Sequence, residues 1–160
     1  MGESKVLVGV KDAVLTIRLE GDVRLPWCPS IEQHFENTLA SSDVESVCVD
    51  LTRAENVDST TLGVIAKMGI EVKKHLNTLP VIFSCSETIT RLLTSMGIDR
   101  VFSIELPSAD QQESLRSLPM LNCSEAEAQQ TVLDAHRTLI DIKEENRQLF
   151  SDLLHALENN

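Results

Sequence analysis

Aromatic residues are scarce in this chain: phenylalanine, tyrosine and tryptophan together make up 3% of its 160 residues, and tyrosine is absent. A hydrophobic content of 42% is still enough to fill a core, which must then consist mainly of leucine, isoleucine and valine. A chain of this length forms one compact domain, or a smaller domain with an appended segment.

The chain also lacks closely spaced metal ligands and the usual catalytic motifs. Its four cysteines and four histidines are dispersed, with no CxxC pair, which argues against a disulfide framework and a zinc site. No P-loop glycine pattern, HExxH or nucleophile elbow is present. We therefore expect no metal, no cofactor and no enzymatic activity.

Basic residues are too few to form an extended positive surface. The net charge is −11, and from Glu105 onward eleven acids stand against four bases, which gives −7 in the last third. This balance argues against nucleic acid or an anionic membrane as partner. Residues 1–11 lack the cationic start and long apolar stretch of a secretory signal, and no run is long enough to span a membrane, so a cytoplasmic location is expected.

Hydrophobic periodicity divides the first two thirds of the chain into alternating strands and helices. Strands are predicted at Lys5–Val10, Ala13–Leu19, Glu45–Leu51, Pro80–Ser84 and Val101–Ile104. Helices are predicted from Ser30 to about Ala40, from Ser59 to near His75, from Ser86 to Gly97 and from Ser108 toward Leu118. This order predicts an α/β fold: a mixed sheet of about five strands flanked by helices, largely parallel with an antiparallel hairpin at its edge.

The run Asp58-Ser59-Thr60-Thr61-Leu62-Gly63 lies where a predicted strand gives way to a predicted helix. A hydroxyl at such a turn is well placed to accept a phosphate. Serine is also a common N-cap, so on the residues alone a purely structural role for Ser59 remains open. Thr60 and Thr61 are interpreted as turn formers, with secondary modification as the alternative.

This run resembles the signature of the bacterial STAS-domain anti-sigma factor antagonists, in which the residue after the aspartate is phosphorylated. The resemblance implies that Ser59 is the phosphoacceptor, that Asp58, Thr60, Thr61, Leu62 and Gly63 form the motif and partner surface, and that the fold is STAS-like. Thr61 stands where the family usually has glycine. A second family turn corresponds to Gly21–Arg24, with Arg24 replacing the family's aspartate. The resemblance makes Asp22 and Arg24 candidate partner-contact positions, and an ordinary solvent-exposed turn is an equally weighted alternative.

The resemblance also implies partners and a mode of action. Unphosphorylated antagonist binds an anti-sigma factor, which can itself be the serine kinase, and a metal-dependent serine phosphatase restores the hydroxyl. The chain is thus interpreted as a partner-switching regulator of transcription. The alternative is a non-enzymatic STAS scaffold that assembles a signalling complex through its C-terminal helix.

The predicted domain spans residues 1–118, and residues 119–160 form an extension. Ser124 to Glu158 contains no glycine or proline, and Ser124 with Glu127 has capping-box spacing, which predicts one long helix. One heptad seam of this helix includes Leu139, Ile142, Asn146, Leu149 and Leu153. Additional apolar residues widen the seam, so an interaction helix is favoured and homodimerisation is the alternative. A histidine phosphotransfer role for His136 is disfavoured because a surrounding helical bundle is missing.

Overall fold

The computed structural model describes residues 3–41, 43–107 and 114–158. The strands are β1 Lys5–Lys11, β2 Val14–Val23, β3 Ser46–Val57, β4 Val81–Phe83, β5 Ser103–Glu105 and β6 Arg116–Ser117. The α-helices are α1 Cys28–Ser41, α2 Ser59–Leu76, α3 Glu87–Ser95, α4 Glu125–Ile142 and α5 Asn146–Glu158. Two short 3-10 helices span Leu25–Trp27 and Ile98–Arg100.

The strands form a six-stranded sheet in the order β5-β4-β3-β2-β1-β6. Strands β2 to β5 are parallel, whereas β1 pairs antiparallel with both β2 and β6. The predicted fold class is confirmed. Two details differ: the sheet has a sixth strand, and β1 is not an edge because β6 covers it. The helix expected from Ser108 toward Leu118 begins outside the described residues, and its described end contains β6 instead.

Strands β2 and β3 both extend beyond their predicted ends, and this extension shapes the candidate site. They run in parallel register from Val14, opposite Ser46, to Val23, opposite Val57. Because parallel strands present their carboxyl ends at the same edge of a sheet, the residues that follow β2 meet those that follow β3. The start of α2 therefore lies next to the 3-10 turn that leads into α1.

Helix α1 begins at Cys28, two residues before the expected start at Ser30, so Ser30 lies inside the helix rather than at its N-terminus. The Ser30 hydroxyl is buried and lies between two backbone groups of the segment that leads to the tail. It donates to the Pro119 carbonyl at 2.8 Å and accepts from the Leu121 amide at 2.9 Å. Ser30 thus anchors the beginning of the extension to the domain. The expected boundary at residue 118 itself stays a prediction.

The extension is two helices rather than one long helix, and α4 packs across α2. The helical path ends at Lys143, whose backbone is extended (φ −152°, ψ 107°), and resumes at Asn146. The side-chain Nδ2 of Asn146 donates to the carbonyls of Leu139 at 2.8 Å and Met96 at 3.0 Å. The Arg100 side chain donates to the Ile142 carbonyl at 2.7 Å. Arg100 of the domain and Asn146 at the start of α5 therefore satisfy carbonyl groups at the end of α4, and the chain turns back instead of overhanging.

This break divides the predicted heptad seam. Leu139 is buried, Ile142 packs against the core and Asn146 is buried. Leu149 and Leu153, in contrast, are 64% and 39% exposed. In α5 the residues that face the domain are instead Asn146, Phe150 and Leu154. The non-helical residues 143–145 change the phase of the helix, so a seam counted through them does not stay on one face.

Candidate functional site

Asp58 organises the start of α2. Its Oδ1 atom accepts from the Thr61 amide at 2.8 Å, and its Oδ2 atom accepts from the Leu25 amide at 3.0 Å. The first bond caps the helix, and the second fastens it to the turn after β2. Asp58 is therefore the N-cap and Ser59 is the first helical residue, so capping does not account for a serine at this position.

The three hydroxyl residues of the motif differ in accessibility. Thr60 is 6% exposed and Thr61 is fully buried, whereas Ser59 is partly exposed. The Thr61 hydroxyl packs beneath the turn, 3.6 Å from the Cys28 sulfur and 3.5 Å from the Val23 carbonyl oxygen. Within the motif, Ser59 therefore offers the hydroxyl that is most open to modification. Thr61, which replaces the family's glycine, fills space in the interior.

The hydroxyl of Ser59 does not point freely into water, because it contacts the C-terminal extension. Its Oγ atom lies 2.8 Å from Nε2 of His136 on α4. The other ring nitrogen, Nδ1, lies 2.7 Å from the carbonyl oxygen of Val132. A carbonyl can only accept, so Nδ1 carries a proton, and in that tautomer Nε2 accepts the proton of the Ser59 hydroxyl. His136 is only 1% exposed, and the ring of Phe150 stands edge-on to it at 4.6 Å.

Close packing of α2 against α4 continues one turn after Ser59. A Cβ atom added at Gly63 would lie 2.3 Å from the carbonyl oxygen of Ala135. Gly63 lies inside an α-helix, so it is not required there for a left-handed backbone conformation. The absence of a side chain lets α4 approach the backbone of α2 directly. Leu62, its neighbour in the motif, is buried in the core.

Asp22 and Arg24 lie beside this turn, as the parallel register of β2 and β3 requires. Arg24 donates from Nε to Asp22 Oδ2 at 2.9 Å; the Arg24 side chain is exposed, whereas Asp22 is half-buried. Its hydrogen bond to Asp22 raises the pKa of Arg24 above its usual value, with the negative charges of Asp22 and Asp58 adding to the effect. The amide of Asp58 approaches the Val23 carbonyl at 3.4 Å. The structure thus brings together the two segments that the sequence interpretation assigned to one partner surface.

A groove of about 560 Å³ opens between α1 and α2, away from the Ser59 hydroxyl. Its floor is apolar and its rim carries charged groups, including a carboxyl–lysine pair of Glu32 and Lys67 at 3.6 Å. Burial raises the pKa of Glu32, and the negative charge of Glu36 adds to this, although Lys67 acts in the opposite direction. The groove is a feature separate from the motif.

Among the described residues, no group of three or more histidine, cysteine, aspartate or glutamate side chains is arranged to hold a metal ion. The described helices are likewise too short or too polar to cross a lipid bilayer.

The contact between Ser59 and His136 is the part of the site that the sequence interpretation missed. These residues are 77 positions apart, and no motif spacing connects them. The predicted members of the C-terminal seam lie C-terminal to this contact. Leu139 and Ile142 pack from α4 against the core, and the side chain of Asn146 donates to the Leu139 carbonyl at the end of α4. Leu149 and Leu153 face away from the domain.

Comparison with known proteins agrees with this arrangement of strands and helices. A family model described as "Mlab, STAS domain" matches residues 6–106. The structure of an anti-sigma factor antagonist from Mycobacterium paratuberculosis is 22% identical, with a TM-score of 0.57, and the match covers 68% of this chain and 89% of that one. The anti-sigma factor antagonist SpoIIAA, in its unphosphorylated form, is 17% identical, with a TM-score of 0.49 and coverage of 62% and 97%. No curated protein sequence matches the chain.

Proposed function

The chain belongs to the STAS domain family, and on this basis we propose that it is an anti-sigma factor antagonist controlled by reversible phosphorylation of Ser59. The observation that carries the proposal is the difference in exposure among the hydroxyl residues of the motif: Ser59 is partly exposed on the first turn of α2, while Thr60 and Thr61 are buried. The function is binding rather than catalysis, and a separate serine kinase and a metal-dependent serine phosphatase set the state of Ser59.

The position of Ser59 explains how a phosphate would act without unfolding the domain. Backbone amides at a helix start point outward, and the helix dipole favours negative charge there. A phosphate adds about −1.5 to −2 charges at neutral pH. It joins the carboxylates of Asp58 and Asp22 at the same edge of the sheet. Unmodified protein binds the anti-sigma factor through the part of this edge that α4 leaves accessible, which includes Asp22 and Arg24, and the added charge disrupts that binding.

Two measurements test this function. In the native host, mass spectrometry under two growth conditions should find a phosphate on Ser59 whose occupancy changes with condition. In vitro, protein carrying phosphoserine at position 59 should bind the host's anti-sigma factor at least ten times more weakly than unmodified protein. Phosphoserine at Ser41, an exposed residue at the end of α1, is the matched control and should leave binding unchanged. Equal binding by all three forms would exclude regulation through Ser59.

A second candidate function is assembly of a signalling complex through the C-terminal helices. It is favoured by Leu149 and Leu153, which are one turn apart on α5 and are both exposed. Such a pair suits contact with another protein or with a second copy of the chain. Light scattering after chromatography should then show a mass larger than one chain for the wild type, and a single-chain mass when both leucines are replaced by serine.

A further inference from the structure

We propose that phosphorylation of Ser59 releases α4 and α5 from α2, so that one modification decides whether the chain's own tail covers this face of the domain. The inference extends the proposed function and rests on it. It starts from the hydrogen bond between Ser59 Oγ and His136 Nε2, which joins the phosphoacceptor directly to the extension. In the unmodified state α4 is the occupant of the α2 surface next to Ser59.

The hydrogen bond has a fixed direction, and this makes it sensitive to phosphate. His136 Nδ1 already donates to the Val132 carbonyl, so Nε2 presents a lone pair and requires a donor. The Ser59 hydroxyl supplies that donor. A phosphoserine has no hydrogen on Oγ and adds three acceptor oxygens, so it places acceptors against an acceptor. The contact persists only if a proton lies between a phosphate oxygen and Nε2, carried by either group.

The side chain of His136 is packed too closely to move aside for a phosphate on Ser59. The ring is almost completely buried, with Phe150 edge-on at 4.6 Å. One turn further along α2, Gly63 leaves no room between the helix backbones, because a Cβ there would lie 2.3 Å from Ala135 O. A closely packed interface of this kind tends to switch between two arrangements instead of deforming gradually. We therefore expect α4 to leave as a unit.

The far end of the extension is held by bonds that do not involve Ser59. Lys143 donates to the Ser95 carbonyl at 2.9 Å, Arg100 to the Ile142 carbonyl at 2.7 Å and Asn146 to the Met96 carbonyl at 3.0 Å. Departure of α4 would break these bonds and expose the apolar residues Ala135 and Leu139, which belong to the core in the docked state.

The test uses full-length protein with phosphoserine incorporated at position 59 during translation, so no kinase is required. Backbone hydrogen exchange is followed by mass spectrometry in α4 (Glu125–Ile142) and, as an internal reference, in β3 (Ser46–Val57). The expected result is exchange at least ten times faster in α4, with β3 unchanged. Phosphoserine at Ser41 supplies the same charge on an exposed site and should change neither segment.

Unchanged exchange in α4 would overturn the proposal, because the helix would then stay docked. Slower exchange would also overturn it, because the phosphate would then hold α4 in place through His136. Equal acceleration in β3 would also overturn it, because the domain itself would then be unfolding. A reverse measurement uses a Ser59→Cys probe in a Cys85→Ser, Cys123→Ser background. In this background a thiol reagent labels the cysteine at position 59. Replacing Arg100 and Asn146 by alanine should raise the rate of that labelling at least tenfold, and an unchanged rate would contradict the coupling between the far end of the extension and position 59.

These outcomes separate the inference from the function on which it rests. If the anti-sigma factor ignores the state of Ser59 while α4 still responds to phosphate, the proposed function fails and the coupling stands. If binding depends on the phosphate while α4 keeps its protection, the coupling fails and the proposed function stands.

Discussion

The hydroxyl of Ser59 and Nε2 of His136 lie 2.8 Å apart although 77 residues separate them in sequence. The proposed phosphoacceptor is therefore a structural contact between the domain and its extension as well as a candidate for modification. Any substitution at either position changes both properties, and variants must be interpreted with this in mind.

Ser59→Ala should destabilise the protein even where no kinase is present. The substitution leaves Nε2 of the buried His136 without its donor, and an unsatisfied buried polar group costs about 1–3 kcal/mol. Urea unfolding followed by circular dichroism measures this difference. The exposed residue Ser41 provides the control, since Ser41→Ala should stay within about 0.5 kcal/mol of wild type. Equal stability of the two variants would mean that the Ser59 contact contributes nothing.

Gly63→Ala should destabilise the docked extension. This is expected although alanine is, by itself, more favourable than glycine inside a helix by about 1 kcal/mol. The new methyl group would lie 2.3 Å from the Ala135 carbonyl oxygen, and overpacking of this kind costs about 1–3 kcal/mol. Hydrogen exchange in α4 should accelerate. The closest atoms belong to the backbone, so a second substitution, Ala135→Gly, should not restore protection. Full rescue by that substitution would show that the side chain of Ala135 is the obstacle.

The buried ion pair of Arg18 and Asp50 should be far more sensitive than the surface pairs. Arg18 Nε donates to Asp50 Oδ2 at 2.9 Å, and Asp50 also accepts from the amide and hydroxyl of Thr52. Asp50→Ala removes the buried carboxylate that accepts from Arg18 and Thr52 and should cost about 3–5 kcal/mol of unfolding free energy. Glu87→Ala, which removes the exposed partner of Arg91, should cost less than about 1 kcal/mol. Similar losses would contradict this ranking.

The four cysteines should divide into two reactivity classes. Cys85 and Cys123 are exposed, whereas burial raises the pKa of Cys28 and Cys48 from 9.0 to about 12. A thiol reagent at pH 8 should modify two groups rapidly in folded protein and all four after unfolding. Because the folded state retains these two thiol protons more tightly, their contribution to stability is complete below pH 9.0 and declines as pH rises toward about 12. Four rapidly reacting thiols in folded protein would show that the interior is open.

The sequence predicted the elements whose signals are local. Alternating apolar residues marked the strands, Ser86 and Ser124 marked helix starts, and Gly97, with a φ of 83°, marked the end of α3. The interruption of the extension could not be found this way, because Lys143 and the two glutamates after it are ordinary helix formers.

That interruption depends on distant partners. Arg100 donates to the Ile142 carbonyl, and the side chain of Asn146 donates to the Met96 carbonyl, so tertiary hydrogen bonds override the local preference. The same holds for His136, whose role depends on where α4 docks. The turn that contains Asp58 could be predicted as a site from the sequence, but the packing of α4 against that turn could not.

The extension is fastened to the domain at both of its ends, by Ser30 near Pro119 and by Arg100 and Asn146 beyond α4. Arg137 and Glu158, 2.9 Å apart, also tie α4 to α5, so the two helices can swing as one lever about the segment before Ser124. At a rise of about 1.5 Å per residue, His136 lies about 18 Å along that lever. A rotation of about 10° then moves the imidazole by about 3 Å, which is about the length of the hydrogen bond to Ser59. The same rotation moves Ile142 further, because it lies further from the hinge. A small hinge angle is therefore enough to break the hydrogen bond between Ser59 and His136, and it breaks the remote fastenings in the same movement.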